Sequence, residues 1–587
     1  MKKSFGIIIT IISIIFIIIS ALWISKHDLY RIYYSLPKYS HKAGPKKIMW
    51  TTMRDNVKLH STVFFPKGKG PFPVILIRNP YTSGLFSAVT AEIFIRYGYA
   101  CMIQSVRGQN KSEGKWVPLE NEFNDSEDTS KWLAKQSWHN GNIALYGPSY
   151  TGYTQWAAAD RLPKEVKTMI PIVFGTDFYP TVYTNGMLHH EFISAWAYLM
   201  PGRKIRSNNG KKYQKAIRHR PYFEADEKYL NKRLPWFRDW IRSSEPGASY
   251  WKRKENDYIK GMPGRIKIPV LMIGGWFDAF LKAQIKDWKN LATQKESRFI
   301  LGPWTHGLRV YGDLTLPNSS GVSTQWNEVL QWLDHHLRGK KYTKQKGVVS
   351  AYIIGSSTWK EYKNWPQKKE TKKLYFHVNN DKCPQGKLLP QKTITNKKYS
   401  FTYDPDNPVE TRGGSNMLAF LVPGFSEITP GPVLQPKPCT RKDVITFISS
   451  PLEKTKLQGP LSMKLYVSSS AQDTAFTATV MEIYEDGKAV NIRHTVATLS
   501  LRNGAQKILN YKKDSIVPIT LTTAPIGWTI KKGSRIRIDI SSSNFPLYNI
   551  HPNVKGQWAK IKDYQKAQQR IIISKKNQSF IELSIER

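Results

Sequence analysis

The stretch from Asn142 to Asp160, NIALYGPSYTGYTQWAAAD, limits the folds open to this chain more than any other. Ile143-Ala144-Leu145-Tyr146 is a short apolar run of the length and type of a buried strand. Gly147-Pro148-Ser149 breaks that run, and Gly152 to Ala159 continues as a helix with small residues on one face. A serine at such a strand-to-helix turn is lifted above the sheet edge, with the backbone amides that follow aimed at a developing oxyanion. The match to G-x-S-x-G is imperfect, because Thr151 stands two places after the serine and the glycine comes at Gly152. An ordinary glycine-rich turn would read the same way, so the surrounding chain has to decide.

Around this stretch, short and nearly continuous apolar runs alternate with helical segments. Val74 to Ile77, Tyr99 to Val106, Val166 to Phe174, Pro269 to Gly274 and Arg298 to Leu301 read as strands. Ala88 to Arg96, Asp125 to Gln136 and Trp326 to Gly339 read as helices, the second opening on carboxylates and closing near lysine as the helix dipole favours. This alternation predicts a mainly parallel sheet covered on both faces. Lys46 to Pro66 reads as a β-hairpin turning at Arg54-Asp55-Asn56, with Asn56 tolerating the left-handed conformation.

The alternation stops between residues 177 and 265, where the chain is aromatic and helix-prone, with Tyr229, Leu230, Trp236, Phe237, Trp240 and Ile241 as its apolar positions. An inserted helical cap over the mouth of the sheet is the economical interpretation. From Arg203 to Arg265 it carries 18 basic and 7 acidic residues, which suits a solvated outer face and leaves an anion-binding surface open. Beyond about Gly347 the pattern turns all-β, with short alternating runs such as Met463 to Val467, Thr474 to Val480 and Arg535 to Ile540.

Residues 1–25 place two lysines before an apolar run from Phe5 to Ile24, long enough to span a bilayer and ending without a small-x-small cleavage site. An uncleaved anchor with the bulk of the chain exported is the expectation. Lys26, Arg31 and Lys38 oppose Lys2 and Lys3 and blunt the charge rule for orientation. The net charge of +44 would suit nucleic acid or an anionic surface, yet the basic residues are scattered through nearly every segment. No known nucleic-acid motif accompanies them, and no nucleic-acid partner is expected. Cys101 lies in an apolar run, whereas Cys383 and Cys439 are able to pair in an oxidising compartment, although nothing in their context requires it.

A serine nucleophile needs a base and a carboxylate to orient that base, each at the C-terminal end of a sheet strand. Past Ser149, Asp278 in LMIGGWFDAF and His306 in FILGPWTHG follow successive predicted strands, in the order serine, acid, histidine. Each alone has a plain structural role, Asp278 as a helix cap and His306 as a packed histidine. His139, His189-His190 and His335-His336 do not follow a sheet strand after the acid.

Ordered motifs extend this pattern: MRDNVKL at 53–59, RNPY at 78–81, VRGQNKSEG at 106–114, NDSEDTSKW at 124–132 and QSWHNGNIALYGPSYTG at 136–152. GGWFDAF at 274–280, GPWTHG at 302–307, QWLDHHLRG at 331–339, TFISSPL at 446–452 and SNFPLYNIHPN at 543–553 follow. On these motifs the chain resembles the serine hydrolases of the cocaine esterase and X-prolyl dipeptidyl peptidase family, which includes glutaryl-type cephalosporin acylases and α-amino-acid ester hydrolases. The resemblance covers nearly everything after residue 45. It implies an α/β-hydrolase domain over 45–176 and 266–345, a helical cap over 177–265, and a β-sandwich or jelly-roll domain over 346–587, behind the hydrophobic segment 1–25.

The resemblance also implies Ser149 as nucleophile, Asp278 as acid and His306 as base. An oxyanion hole would come from the Tyr81 hydroxyl and the Tyr150 backbone N–H, and no metal or cofactor is required. The family's glycine falls three residues after the serine, as Gly152 does. Two positions depart from the family: Asp55-Asn56 replaces the common D-G turn, and Ser105 replaces the Asp before V-R-G. Ala279, Phe280 and Leu281 after the acid argue for an uncharged acyl group. Trp276, Phe277, Phe280 and Trp304 are the candidate pocket residues and favour an apolar or aromatic acyl moiety. The reading is a hydrolase of a small ester, amide or short peptide, with an X-Pro dipeptidyl peptidase and an inactive surface-binding protein as the alternatives.

Overall fold

The computed structural model describes residues 26–81, 85–363, 365–367, 369–379 and 385–586. The expected anchor in residues 1–25 lies outside the described residues, among which no helix is long and apolar enough to cross a membrane. The first sheet has ten strands. In chain order they are β1 (Ala43–Thr52), β2 (Lys58–Pro66), β3 (Phe72–Asn79), β4 (Ala100–Ser105), β5 (His139–Pro148), β6 (Val166–Ile172), β7 (Leu271–Phe277), β8 (Arg298–Thr305), β9 (Val348–Ile353) and β10 (Thr358–Tyr362). Their spatial order is β1-β2-β4-β3-β5-β6-β7-β8-β9-β10. β4 to β9 run parallel across the sheet, and antiparallel pairs finish both edges.

The central strands are almost wholly buried because helices cover both faces of the sheet. β4 and β7 are buried at every position. α1 (Leu85–Arg96), α2 (Glu122–Leu133), α3 (Tyr150–Trp156), α4 (His190–Leu199), α5 (Pro235–Arg242), α6 (Leu281–Asn290) and α7 (Gly321–Arg338) are the principal helices. α2 starts three residues before the expected Asp125, because Glu122 is drawn into the interior by an arginine rather than left in solvent. The β1–β2 hairpin turns where expected, with Asn56 at a φ of 63°.

One boundary differs from the sequence reading. Residue 346 does not begin the all-β domain, since β9 and β10 extend the first sheet to Tyr362. No helix separates them from the strands beyond, so the change of sheet leaves no break in the run of strands along the chain. The second sheet has thirteen strands, from Lys369–Val378 to Phe580–Glu586, and forms an all-β C-terminal domain. Between β6 and β7 the chain is helical, including α4 and α5, with a two-strand hairpin at Tyr183–Thr184 and Met187–Leu188. One hydrophobic core runs continuously from the first sheet through this insertion into the β domain. Backbone bonds tie the parts together: the His190 and Glu191 N–H groups donate to Leu547 and Pro546, and Ile354 donates to Gly527. Cys439 is disulfide-bonded and Cys101 is a buried free thiol, while Cys383 lies outside the described residues.

A buried ion pair braces the floor of the sheet's C-terminal edge. Arg78, at the end of β3, donates through Nη1 to Glu122 Oε2 at 2.7 Å and to Ser126 Oγ at 2.5 Å, and through Nε to Gln104 Oε1 at 2.7 Å. Both side chains of the ion pair are 2% exposed. Removing one member leaves a charge uncompensated in the interior, which costs far more than the net worth of the pair. Arg78→Leu is expected to destabilise the fold by about 3–5 kcal/mol, measured as a fall in the urea midpoint.

Candidate active site

Four side chains converge at the C-terminal ends of parallel strands. Tyr81 follows β3, Ser149 follows β5, Asp278 follows β7 and His306 follows β8. β3 is the point where the strand order reverses, with β4 placed on one side and β5 on the other, so a crevice opens between the ends of β3 and β5.

Ser149 caps α3 with φ 58° and ψ −129°, a conformation sparsely populated by residues with a side chain. Two glycines make it attainable. A Cβ on Gly147 (φ +151°) would stand 2.1 Å from Thr151 Oγ1, and one on Gly152 would press on Phe174 Cβ at 3.0 Å. The turn is held by the Ser149 N–H donating to Ile172 O at 2.9 Å.

Ser149 Oγ lies 3.0 Å from His306 Nε2, and His306 Nδ1 lies 2.6 Å from Asp278 Oδ2. Since an ionised carboxylate only accepts, Nδ1 carries the proton and Nε2 is left to accept the serine O–H. The Asp278 side chain is fully buried, and its other oxygen accepts the Phe280 N–H at 2.8 Å. The imidazole packs edge-on to Phe192 at 5.1 Å and stacks with Phe280 at 5.6 Å, so its orientation is set on three sides.

On the other side of the serine, the Tyr81 hydroxyl is 3.3 Å from Ser149 Oγ, with the Tyr150 N–H and the Trp196 indole beside it. Burial pushes the Tyr81 phenol up, against the contacts from Ser149, Trp196 and Tyr150, and so keeps it an O–H donor at neutral pH. The turn that delivers it is an Asx turn, in which the Tyr81 N–H donates to Asn79 Oδ1 at 2.9 Å and Asn110 Nδ2 donates to Tyr81 O at 3.0 Å. Tyr150 is anchored through its own hydroxyl, which donates to Glu122 Oε1 at 3.0 Å. The Arg78–Glu122 pair therefore supports both halves of this donor set.

Beside Ser149 is a small aromatic cavity of about 30 Å³, walled by Phe174, Phe178, Phe192, Trp196, Trp240 and Phe280. A second cavity of about 290 Å³ opens at Ser149 between Ile77, Thr90, Tyr146 and Ile205. Of the four pocket residues read from sequence, only Phe280 lines the aromatic cavity. Trp276 is wholly buried, its indole donating to Tyr352 O at 2.6 Å, and Trp304 likewise donates to Ser319 O at 2.6 Å. Phe277 lies under the Arg493 guanidinium. Proximity in sequence to Asp278 and His306 misplaced them, because successive strand side chains leave opposite faces of the sheet. The true walls come mostly from the insertion, whose aromatic composition was the available signal and of whose marked residues Trp240 reaches the cavity.

The fold and these contacts define a serine hydrolase with an α/β-hydrolase-like N-terminal domain and an all-β C-terminal domain. Residues 55–308 match the X-Pro dipeptidyl-peptidase (S15 family) model, and residues 338–582 match the X-Pro dipeptidyl-peptidase C-terminal non-catalytic domain. The chain belongs to this family, which also takes in the cocaine esterases. It is 27% identical to the cocaine esterase of Rhodococcus sp. over 537 residues, covering 86% of this chain and 92% of that protein. Among solved structures, an aminopeptidase from a marine sediment Thaumarchaeota archaeon superposes with a TM-score of 0.81 at 23% identity, covering 94% of this chain and 98% of that one. An α-amino acid ester hydrolase superposes with a TM-score of 0.78 at 21% identity and the same coverage.

Glu191 fastens the insertion to the β domain beside this site. It precedes Phe192, and one of its oxygens accepts the Ala419 N–H while the other has no hydrogen-bond partner among the described residues. Met417 of the same loop receives the Gly307 N–H on sulfur at 3.3 Å. Burial pushes the Glu191 carboxyl up to about 7, against the opposing backbone contacts from Ala419, Met417 and Phe420. The folded state thus keeps a proton that the unfolded chain loses above about 4.5, so stability falls as pH rises from there towards 7. Asp287, also pushed up to about 7 by burial, adds a slope of the same sign. Glu191→Gln should flatten the decline in thermal midpoint between pH 4.5 and 7.5 without abolishing it, a difference read by calorimetry.

Proposed function

We propose that this protein hydrolyses esters of small, uncharged and preferably aromatic acyl groups through an acyl-enzyme on Ser149. The observation that carries the reading is the continuous contact Asp278–His306–Ser149, with the Tyr81 hydroxyl on the far side of the serine oxygen. His306 Nε2 takes the serine proton as Oγ adds to the carbonyl carbon, and Asp278 stabilises the imidazolium. The carbonyl oxygen becomes an oxyanion held by the Tyr81 O–H and the Tyr150 N–H, donors oriented before the reaction begins. Collapse expels the alcohol, which takes the proton back from His306. Water then adds to the acyl carbon, giving its proton to Nε2, and the acid leaves as Ser149 is reprotonated.

Substrate choice rests on the two cavities at Ser149, of which the one of about 290 Å³ has room for an aromatic acyl group and the aromatic one lies beside the serine. None of the aromatic cavity's described lining residues is a carboxylate, and Ala279 and Leu281 flank Phe280 where an acidic pair would hold an ammonium. An X-Pro exopeptidase needs such a group for the free amino terminus, so the ester reading is preferred within the family. The helical insertion serves as a cap that excludes water from the acyl group, and the β domain is read as a jelly roll that backs it. Export, with residues 1–25 as an anchor, is favoured by the apolar run of that segment and by the bonded state of Cys439.

Three measurements test this. A fluorophosphonate should label Ser149 in the folded protein and fail on Ser149→Ala, whose ester turnover should drop by about 10⁴-fold or more. Absence of an adduct would favour an inactive surface-binding protein. Tyr81→Phe, which removes one oxyanion donor, should lower kcat by about 10²–10³-fold with little change in KM. Across acetyl esters, benzoyl esters and Gly-Pro or Ala-Pro anilides, the benzoyl esters should show the highest kcat/KM. Preference for the X-Pro anilides would overturn the ester assignment in favour of an exopeptidase.

A further inference from the structure

A third cavity, of about 40 Å³, is walled by Asp278 but by neither Ser149 nor His306. Three parts of the chain close it: Thr184 and His189 from the insertion, Asp278 and Lys282 from the hydrolase domain, and Arg493 and His494 from the β domain. Two cations, a buried Arg493 and a half-buried Lys282, therefore line one small cavity.

Neither cation is neutralised. The Arg493 guanidinium is 5% exposed and spends its two terminal nitrogens on backbone carbonyls, donating to Trp276 O at 2.6 Å and to Pro525 O. Among the described residues its buried Nε has no hydrogen-bond partner. Lys282 is half-buried and makes no hydrogen bond or ion pair among the described residues. Asp278 is the one carboxylate among the described residues of the wall, and its two oxygens are taken by the Phe280 N–H and His306. His189 is engaged with Thr184 at 2.8 Å and is held neutral by burial, with Lys282 adding to the effect. Burial, then Arg493, pushes the Lys282 ammonium down to about 8, as befits a cation lacking a counter-charge.

A buried charge left unpaired incurs a desolvation penalty, which here falls on Arg493 above all. Water supplies part of that compensation, but an anion of matching size supplies a charge as well. The space is of the order of one or two water volumes, with a water taking up about 30 Å³ of liquid. This suits a monatomic anion and is too small for a sugar acid or an aromatic carboxylate. We propose that the cavity is a binding site for a monovalent inorganic anion of the chloride class, held between the Lys282 ammonium and the Arg493 guanidinium. Because its walls come from all three parts of the chain, the anion would pin the insertion and the β domain onto the hydrolase domain directly behind Asp278. The site is independent of which acyl ester is cleaved.

Crystals of the full chain soaked in sodium bromide provide the direct test, with an anomalous peak expected between Lys282 Nζ and Arg493. In solution, the thermal midpoint should rise saturably when chloride replaces gluconate at constant ionic strength. Lys282→Met, which keeps the length of the stem and removes the charge, should weaken that response at least tenfold in chloride concentration. A cavity with no bromide peak, identical midpoints in chloride and gluconate, or a full chloride response in Lys282→Met would each overturn the proposal. If Lys282→Met does not fold, the bromide peak and the chloride titration of the natural protein still decide it.

Discussion

The left-handed backbone at Ser149 is the constraint on which the rest of the site depends. A residue with a side chain holds φ 58° and ψ −129° only if its surroundings over-determine it. Here they do so through close packing. Gly147 has no Cβ where Thr151 Oγ1 passes, Gly152 lets α3 lie against Phe174, and the Ser149 N–H is fixed to β6. The strain stays local because β5 is clamped between β3 and β6 in a sheet buried on both faces. Were the turn to relax, Oγ would leave His306 and Tyr81 together.

Around that turn the chain distributes its work by layer. The parallel sheet places four strand ends along one edge, and a hydrogen-bonded ion pair between Arg78 and Glu122 steadies the two ends that carry Tyr81 and Tyr150. The insertion contributes almost no polar group to the serine's surroundings and supplies aromatic surface instead. Low polarity around the site strengthens every hydrogen bond aimed at a developing charge. The β domain reaches the site from behind, by way of Arg493 on the Trp276 carbonyl and Met417 on the Gly307 amide. It lines the back of Asp278 and leaves the serine's own walls to the other two parts.

Much of this was legible in the residues alone. The strands, their order of use, the serine turn and the two side chains that meet it are local patterns: apolar runs of strand length, a Gly-Pro-Ser break, and an acid and a histidine just past two later runs. The turn at Asn56 and the helical character of 177–265 were readable for the same reason. The start of α2 at Glu122 was not, because a carboxylate reads as solvent-facing until Arg78, 44 positions earlier, is known to lie against it. The limit of the first sheet was hidden because no helix stands between β9, β10 and the strands of the next domain.

The sequence by itself determined that Ser149, Asp278 and His306 stand at strand ends in the order a hydrolase uses, since strand length, turn chemistry and chain order are one-dimensional properties. Only the tertiary structure decided which aromatic rings face the serine. Trp276 and Trp304 are near the acid and the base in sequence yet point into the core and donate to Tyr352 and Ser319. Phe192 and Trp196 stand more than forty residues from Ser149 and form its walls. The physical reason is that a strand sends neighbouring side chains to opposite faces, whereas an insertion can fold back over any of them. The same holds for the two cations behind Asp278, since Lys282 and Arg493 come from different domains and share one cavity only in the folded chain.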